Sequence, residues 1–262
     1  MIGAIIGDIV GSRFEFGEAP QPGFKLFTSE CNYTDDTICT IAVADAILNG
    51  RSYSDALIDW CRRYPNPMGG YGGRFYKWIF SDDPQPYGSY GNGSAMRVSP
   101  VAWLFDEYRE VKEQAVLSAA CTHNHDEGLK GAECIAVLCY WLRTARINKS
   151  QVEHKAEKQW GYEIPPLKDI YRIGRLGHFD GSCMETVPWA IRCFLDSQDF
   201  EDAIRIAVLA DGDTDTKACI TGALAEAFYD IPEKLIDKAF SYLPDDMLDI
   251  VTQYYDRIGQ SM

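Results

Sequence analysis

Residues 2–11 read IGAIIGDIVG, and this stretch decides how the fold is built. Gly3, Gly7 and Gly11 recur every four residues, so on a helix they lie on one face and leave it flat. Isoleucines cover the neighbouring face. The pattern predicts a helix over 2–11 whose glycine stripe lets a second backbone approach closely.

Apolar residues recur at helical spacing through most of the remaining chain, whereas the alternation typical of paired strands is scarce. Two stretches rich in Gly, Pro and Tyr, 64–73 and 81–93, interrupt the pattern and are expected to be ordered, functional loops. The sequence therefore predicts one all-α domain over 1–262 with long loops on one side. Further helices are predicted over 36–49, 53–63, 94–105, 110–120, 127–146, 183–195, 199–209, 215–229 and 245–258.

Charge and cysteine usage exclude several classes of function. The 262 residues include 25 Lys and Arg against 39 Asp and Glu, a formal net charge of −14, without a basic cluster that would bind nucleic acid. Asp8 breaks the apolar start of the chain, so neither a span of ~20 residues nor a signal peptide is expected. Nine cysteines, an odd number without a C-x-x-C pair, favour free thiols in a reducing compartment. We expect a cytoplasmic protein that binds neither membranes nor nucleic acid.

Two short acidic clusters precede predicted helices: TDDT at 34–37 and DGDTDT at 211–216. Asp and Thr are favoured at helix N-termini, so each cluster alone is consistent with helix capping. Each cluster nevertheless has more carboxylates than one helix start uses, and adjacent like charges repel unless a cation lies between them. Carboxylate and hydroxyl oxygens suit Mg²⁺, Mn²⁺ or Ca²⁺ rather than zinc or copper.

Two known metal-binding patterns fit the sequence poorly. The alternate aspartates in 211–215 match the first, third and fifth positions of a calcium EF-hand, but Thr216 replaces its glycine and Gly222 its last carboxylate. The dipeptide His125-Asp126 matches the HD phosphohydrolases, which need another histidine well upstream. The first histidine of this chain is His123, so that pattern is incomplete.

Five segments, taken together in order, resemble the ADP-ribosylglycohydrolase family, which includes the dinitrogenase-reductase-activating glycohydrolases. They are GDIVGSRFEF at 7–16, TDDT at 34–37, SYGNGSAMR at 89–97, TH at 122–123 and GDTDT at 212–216, and they span about four-fifths of the chain. The resemblance implies a single compact, orthogonal all-α domain with the Gly/Pro-rich loops over the active site.

The resemblance also implies a site with two Mg²⁺ or Mn²⁺ ions. Glu15 matches the acidic residue beside the scissile ribose, and with Asp36 it is expected to be catalytic. The implied metal ligands are Thr34, Asp35, Asp36, Asp213, Asp215 and Thr216. The positions that hold the diphosphate and adenosine in the family correspond to Ser89, Tyr90, Gly91, Asn92, Gly93 and His123.

The implied activity is metal-dependent hydrolysis of the glycosidic bond at C1″ of ADP-ribose, in a substrate such as an ADP-ribosylated protein, by a monomer. A non-catalytic ADP-ribose-binding protein and a two-metal nucleotide diphosphate hydrolase are the alternatives. Linkage to arginine, serine, an O-acetyl group or a second ADP-ribose is left open. Two positions depart from the family pattern: Asp211 replaces a glycine before GDTDT, and Asp126 stands where relatives often have proline.

Overall fold

The computed structural model describes residues 1–259, which fold into α-helices joined by loops without a β-strand. Two isolated bridges, Thr34 to Met68 and Gly91 to Ser182, tie loops to the helical body. No helix within the described range is long and apolar enough to span a membrane. The helices are α1 (Ile2–Gly11), α2 (Asp35–Leu48), α3 (Tyr53–Arg63), α4 (Gly73–Ile79), α5 (Gly93–Met96), α6 (Ser99–Leu104), α7 (Tyr108–Ala120), α8 (Asp126–Arg143), α9 (Val152–Trp160), α10 (Leu167–Gly174), α11 (Cys183–Asp196), α12 (Phe200–Leu209), α13 (Thr214–Glu226), α14 (Glu233–Phe240) and α15 (Asp245–Ile258), with a 3₁₀ turn at Lys149–Gln151.

Helix α1 lies at the centre of the molecule, and all ten of its residues are buried. Its glycine stripe packs antiparallel on α13: a Cβ added at Gly3 would lie 2.2 Å from the Gly222 carbonyl oxygen, and one at Gly7 2.0 Å from that of Ala218. At the other end, a Cβ on Gly11 would lie 2.5 Å from the Thr214 carbonyl oxygen. The predicted close approach of a second backbone is therefore confirmed.

This antiparallel packing decides where the polar residues of the chain meet. The carboxyl end of α1 lies against the amino end of α13, because Gly11 contacts Thr214. The amino end of α2 joins them, because Asp8 of α1 accepts hydrogen bonds from Thr34 and Thr37. Three helix ends, and the acidic segments at them, therefore converge on one side of the core.

The prediction of an all-α fold is confirmed, although several predicted elements differ in detail. The helix predicted over 94–105 is two helices, α5 and α6, with Pro100 in the first turn of α6, where a missing N–H costs nothing. Helix α8 ends at Arg143, three residues before the predicted end at 146, because Ala145 adopts a φ of 51°, which is incompatible with a continued helix. Helices α4, α9, α10 and α14 were not predicted. Each of them has seven to nine residues, which is shorter than the window of ~11–18 residues over which helical periodicity is read.

Candidate divalent-cation centre and its cavity

Asp8 organises the site, although it was not among the site residues predicted from the sequence. Its side chain is fully buried on α1, and its Oδ1 accepts a hydrogen bond from Thr34 Oγ1 at 2.7 Å. Its Oδ2 accepts from the backbone N–H of Thr34 at 3.0 Å, from that of Thr37 at 3.1 Å, and from the Thr37 hydroxyl. Both oxygens are therefore used to hold the first turn of α2 against α1.

Thr34, predicted as a metal ligand, also caps α2. Its hydroxyl donates to Asp8 and accepts from the backbone N–H of Asp36 at 3.2 Å. A threonine with an extended backbone at this position is a standard helix N-cap. The capping interpretation and the cation interpretation of TDDT thus apply to different atoms, because the carboxylates that follow Thr34 are left for other partners.

Carboxylates of the two acidic clusters form two overlapping groups together with Asp8 and Glu15. Single oxygens of Asp8, Asp36 and Asp215 all lie within 4.8 Å of one another, and so do single oxygens of Glu15, Asp213 and Asp215. Asp215 belongs to both groups. The hydroxyl of Thr216 donates to Oδ2 of Asp36 at 3.2 Å, which joins side chains 180 residues apart in the sequence.

The pKa values of these carboxyl groups are raised by burial and, for Glu15, Asp36 and Asp215, also by neighbouring acids. Burial is the largest cause for each group. It raises the pKa of Asp8 to about 6, although the hydrogen bonds from Thr37 and Thr34 lower it. It raises the pKa of Glu15 to about 7, and the charge of Asp213 adds to this rise. The pKa values of Asp36 and Asp215 are raised well above the ordinary range by burial and by the neighbouring acids. The cluster without cations is therefore electrostatically unfavourable when it is ionised.

The chemistry of this donor set fits divalent cations. Oδ1 of Asp36 is buried without a hydrogen-bond partner in the described part of the chain, although buried carboxylate oxygens normally have one. Half-buried Asp35 faces the same cavity, and its pKa is raised mainly by burial and next by the charge of Asp8. Hard oxygen donors in two overlapping groups can hold two ions such as Mg²⁺ or Mn²⁺.

A cavity of about 510 Å³ opens onto these carboxylates. Glu15, Asp35, Asp36, Asp213, Asp215 and Thr216 contribute to its wall, whereas Thr34 does not. The predicted loop 64–73 covers Glu15: Gly69 has a φ of +76°, and a Cβ there would lie 2.7 Å from Oε2 of Glu15. Glycine is needed at Gly69 both for its backbone conformation and for this approach.

The second predicted loop supplies a different part of the wall. Of the six residues predicted to bind the diphosphate and adenosine, Ser89, Gly91, Asn92, Gly93 and His123 line the cavity. Tyr90 does not line it: its ring is 48% exposed and packs edge-on against His125 at a centroid distance of 5.4 Å. The side-chain amide of Asn92 donates to Oδ2 of Asp213 at 2.7 Å, so Asn92 also orients one of the carboxylates.

Several residues that line the cavity were not predicted from the sequence. Phe16 and Phe179 stack at 6.1 Å at the rim and are exposed. Arg74, in the first turn of α4, lies over the Tyr87 ring at 4.9 Å and donates to the Tyr87 carbonyl oxygen. Arg97 is buried behind the loop. The motif SYGNGSAMR included Arg97, but only the fold brings these five side chains to one cavity.

Asp211, the departure noted beside the second cluster, is directed away from the carboxylates. It adopts a φ of 60°, accepts a hydrogen bond from the Gly212 N–H at 2.9 Å, and lines a separate cavity with Tyr171 and Arg175. The buried amino group of Lys217 donates to its carbonyl oxygen. Asp211 therefore supplies a turn rather than another carboxylate at the site.

The chain is similar to known proteins over nearly its whole length. A family model described as ADP-ribosylglycohydrolase matches residues 1–261. The relatives include the ADP-ribosylhydrolase ARH3 of Bos taurus, 25% identical over 99% of this chain and 92% of the relative. They also include the ADP-ribosylarginine hydrolase Tri1 of Pseudomonas putida, 25% identical over 91% of this chain and 72% of the relative. A solved structure titled "ADP-ribosylglycohydrolase-related protein complex" has a similar fold, with a TM-score of 0.71, 23% identity, and coverage of 98% of this chain and 97% of that one.

Proposed function

The chain belongs to the ADP-ribosylglycohydrolase family of hydrolases, and we propose that it cleaves the glycosidic bond at C1″ of an ADP-ribose unit with the help of two Mg²⁺ or Mn²⁺ ions. The observation that carries the proposal is the meeting of Asp36 and Asp215, whose oxygens lie together with that of Asp8 within 4.8 Å. Such a group of buried carboxylates is stable in ionised form only with cations nearby.

In this proposal the ligands are Asp35, Asp36, Asp213, Asp215 and Thr216. Thr34 stands behind them: its hydroxyl is hydrogen-bonded to Asp8, so its support as a ligand is weaker than that of its neighbours. Bound divalent cations would supply positive charge that orients the ribose hydroxyls and offsets the carboxylates.

Glu15 is proposed as the group that takes a proton from the attacking water. Its carboxylate lines the cavity beside Asp213 and Asp215 and makes no hydrogen bond to a backbone group within residues 1–259. Asp36 would share the catalytic role by fixing the ribose end of the substrate. Ser89, Gly91, Asn92, Gly93 and His123 would hold the diphosphate and adenosine, whereas the exposed ring of Tyr90 lies outside the cavity wall.

The cysteine usage supports a reducing compartment, and we propose the cytoplasm. The nine cysteines are free thiols in the structure. The proposed partner is an ADP-ribosyl compound or an ADP-ribosylated protein, which is consistent with the names of the relatives. A monomer is our proposal for the active form.

The test is a panel of ADP-ribosyl substrates of defined linkage, incubated with Mg²⁺ or Mn²⁺ and analysed by mass spectrometry. Asp36→Ala should abolish the release of ADP-ribose while the helical circular dichroism is retained. Asp237→Asn, on the exposed face of α14, is the control and should leave turnover unchanged. Release of AMP instead of ADP-ribose would identify a diphosphate hydrolase, and chelator-insensitive binding without turnover would identify a binding protein; either result would refute the proposal.

A further inference from the structure

His123 directs one ring nitrogen into the cavity without a partner. The residue is 5% exposed, and its Nδ1 lies 2.7 Å from Thr122 Oγ1. None of the hydrogen bonds within residues 1–259 uses its Nε2. A Cβ added at Gly91 or Gly93 would lie 3.5 or 3.1 Å from Nε2, so the two glycines keep this atom open to the cavity that they line. Nε2 therefore lies on the cavity wall, where the open space beside it can hold a hydrogen-bond partner.

The hydrogen bonds behind His123 favour one tautomer of its ring. Arg97 is fully buried, and its Nη2 donates to the Ser118 carbonyl oxygen at 2.9 Å and to Thr122 Oγ1 at 2.8 Å. A guanidinium has only donors, so the Thr122 oxygen accepts this bond, and among the hydrogen bonds of residues 1–259 the partner left for the hydroxyl hydrogen is Nδ1 of His123. A proton on Nδ1 would instead point at the second lone pair of Oγ1 and leave the hydroxyl hydrogen without an acceptor. The neutral ring with its proton on Nε2 is therefore favoured.

The surroundings also keep the ring neutral. Burial comes first, and the charges of Arg97 and Arg74 add to it; together they hold the pKa of His123 well below its usual range. The Tyr87 ring also packs against it, at a centroid distance of 6.3 Å. Nε2 is therefore a neutral N–H donor in a positively charged part of the cavity, which favours an anionic oxygen as its acceptor.

We propose that Arg97 and Thr122 are positioning residues that lock His123 in the Nε2–H tautomer, so that its ring donates a hydrogen bond to a phosphate oxygen of the ligand. The choice of ligand rests on the proposed function, because ADP-ribose supplies the phosphate. The tautomer is inferred from the hydrogen bonds of Thr122 and Arg97 alone, so it can be tested in the ligand-free protein.

The first experiment measures the tautomer directly. Long-range ¹H–¹⁵N correlation spectra of the ligand-free protein distinguish a protonated from an unprotonated ring nitrogen for each of the four histidines. The His123→Gln variant assigns the His123 signals by their loss. We expect an unprotonated Nδ1 and a protonated Nε2 at neutral pH. A protonated Nδ1 would overturn the proposal. The tautomer is measured in the wild-type protein, so the result does not depend on whether a variant folds.

The second experiment measures the affinity for ADP-ribose by calorimetry in the presence of Mg²⁺. Thr122→Val removes the hydroxyl but keeps the shape, and we expect about tenfold weaker binding, which is the effect of one hydrogen bond. Thr122→Ser restores the hydroxyl and should bind as the wild type does. Thr221→Val is the matched control and should leave the affinity unchanged, because it removes an equally buried hydroxyl that is bonded to the Ala190 carbonyl oxygen.

Three outcomes separate this inference from the proposed function. Unchanged affinity in Thr122→Val, or equal weakening in Thr122→Ser, would overturn the positioning role. ADP-ribose binding without turnover would refute the proposed hydrolysis and leave the positioning role intact. If the wild type does not bind ADP-ribose at all, the assignment of the phosphate acceptor is overturned.

Discussion

Asp8 offers the sharpest prediction, because it holds the site together without a free oxygen of its own. Asp8→Asn removes the charge and places an amide against four donors of Thr34 and Thr37. Each hydrogen bond to a charged group contributes ~1.5–3 kcal/mol, but burial of the carboxylate, which raises the pKa of Asp8 to about 6, offsets part of the sum. We expect the free energy of unfolding in saturating Mg²⁺ to fall by about 3 kcal/mol, the low end of the ~3–5 kcal/mol for breaking a buried ionic interaction.

The same substitution should weaken the binding of Mg²⁺ or Mn²⁺ by ~10–100-fold, as the loss of an outer-shell partner commonly does. Urea unfolding followed by circular dichroism gives the stability, and calorimetry gives the ion affinity. Asp45→Asn is the matched control, because buried Asp45 lies far along α2 from the site and accepts hydrogen bonds from Trp60 at 2.8 Å and from Arg51. It should lower stability without changing ion affinity. An Asp8→Asn protein with wild-type stability, or with lowered stability and unchanged ion affinity, would refute the reasoning.

Two further predictions test the packing and the electrostatics. Gly7→Ala should cost more than the ~1–3 kcal/mol of ordinary overpacking, because its Cβ would lie 2.0 Å from the Ala218 backbone oxygen; Gly73→Ala, with nothing within 4 Å, is the control in the same urea assay. In the metal-free protein the pKa values of Asp8 and Glu15, about 6 and about 7, lie above those of unfolded carboxyls, so the native state binds more protons and its stability should fall as pH rises from about 4 to about 7. Thermal unfolding in chelator should show this decline and added Mg²⁺ should reverse it; stability that rises over this range would contradict the assigned shifts.

The sequence predicted that a second backbone packs closely on α1, but it did not identify α13 as that partner. The spacing of Gly3, Gly7 and Gly11 predicted the close approach of another backbone, because residues four apart lie on one face of a helix. The partner could not be read, since only Gly222 of the facing stretch is a glycine, and Ala218 and Thr214 meet the stripe through their backbone atoms. A backbone contact of this kind leaves almost no trace in the residues of the second helix.

The candidate site divides in the same way. The acidic clusters were visible because they contain more carboxylates than helix capping requires. Asp8 was not, because a single acid within an apolar helix looks like an interruption until the helix is buried and its four donors are known. Arg97 and Thr122 were also hidden, since their role depends on His123 lying between their hydrogen-bond chain and the cavity.

Anomalous diffraction from crystals grown with Mn²⁺ tests the central claim most directly. We expect two manganese peaks next to the carboxylates at the adjoining ends of α1, α2 and α13, with Asp36 and Asp215 among their contacts. No peak there, or manganese bound instead to the separate half-buried group of His178, Asp180 and Glu185, would contradict it.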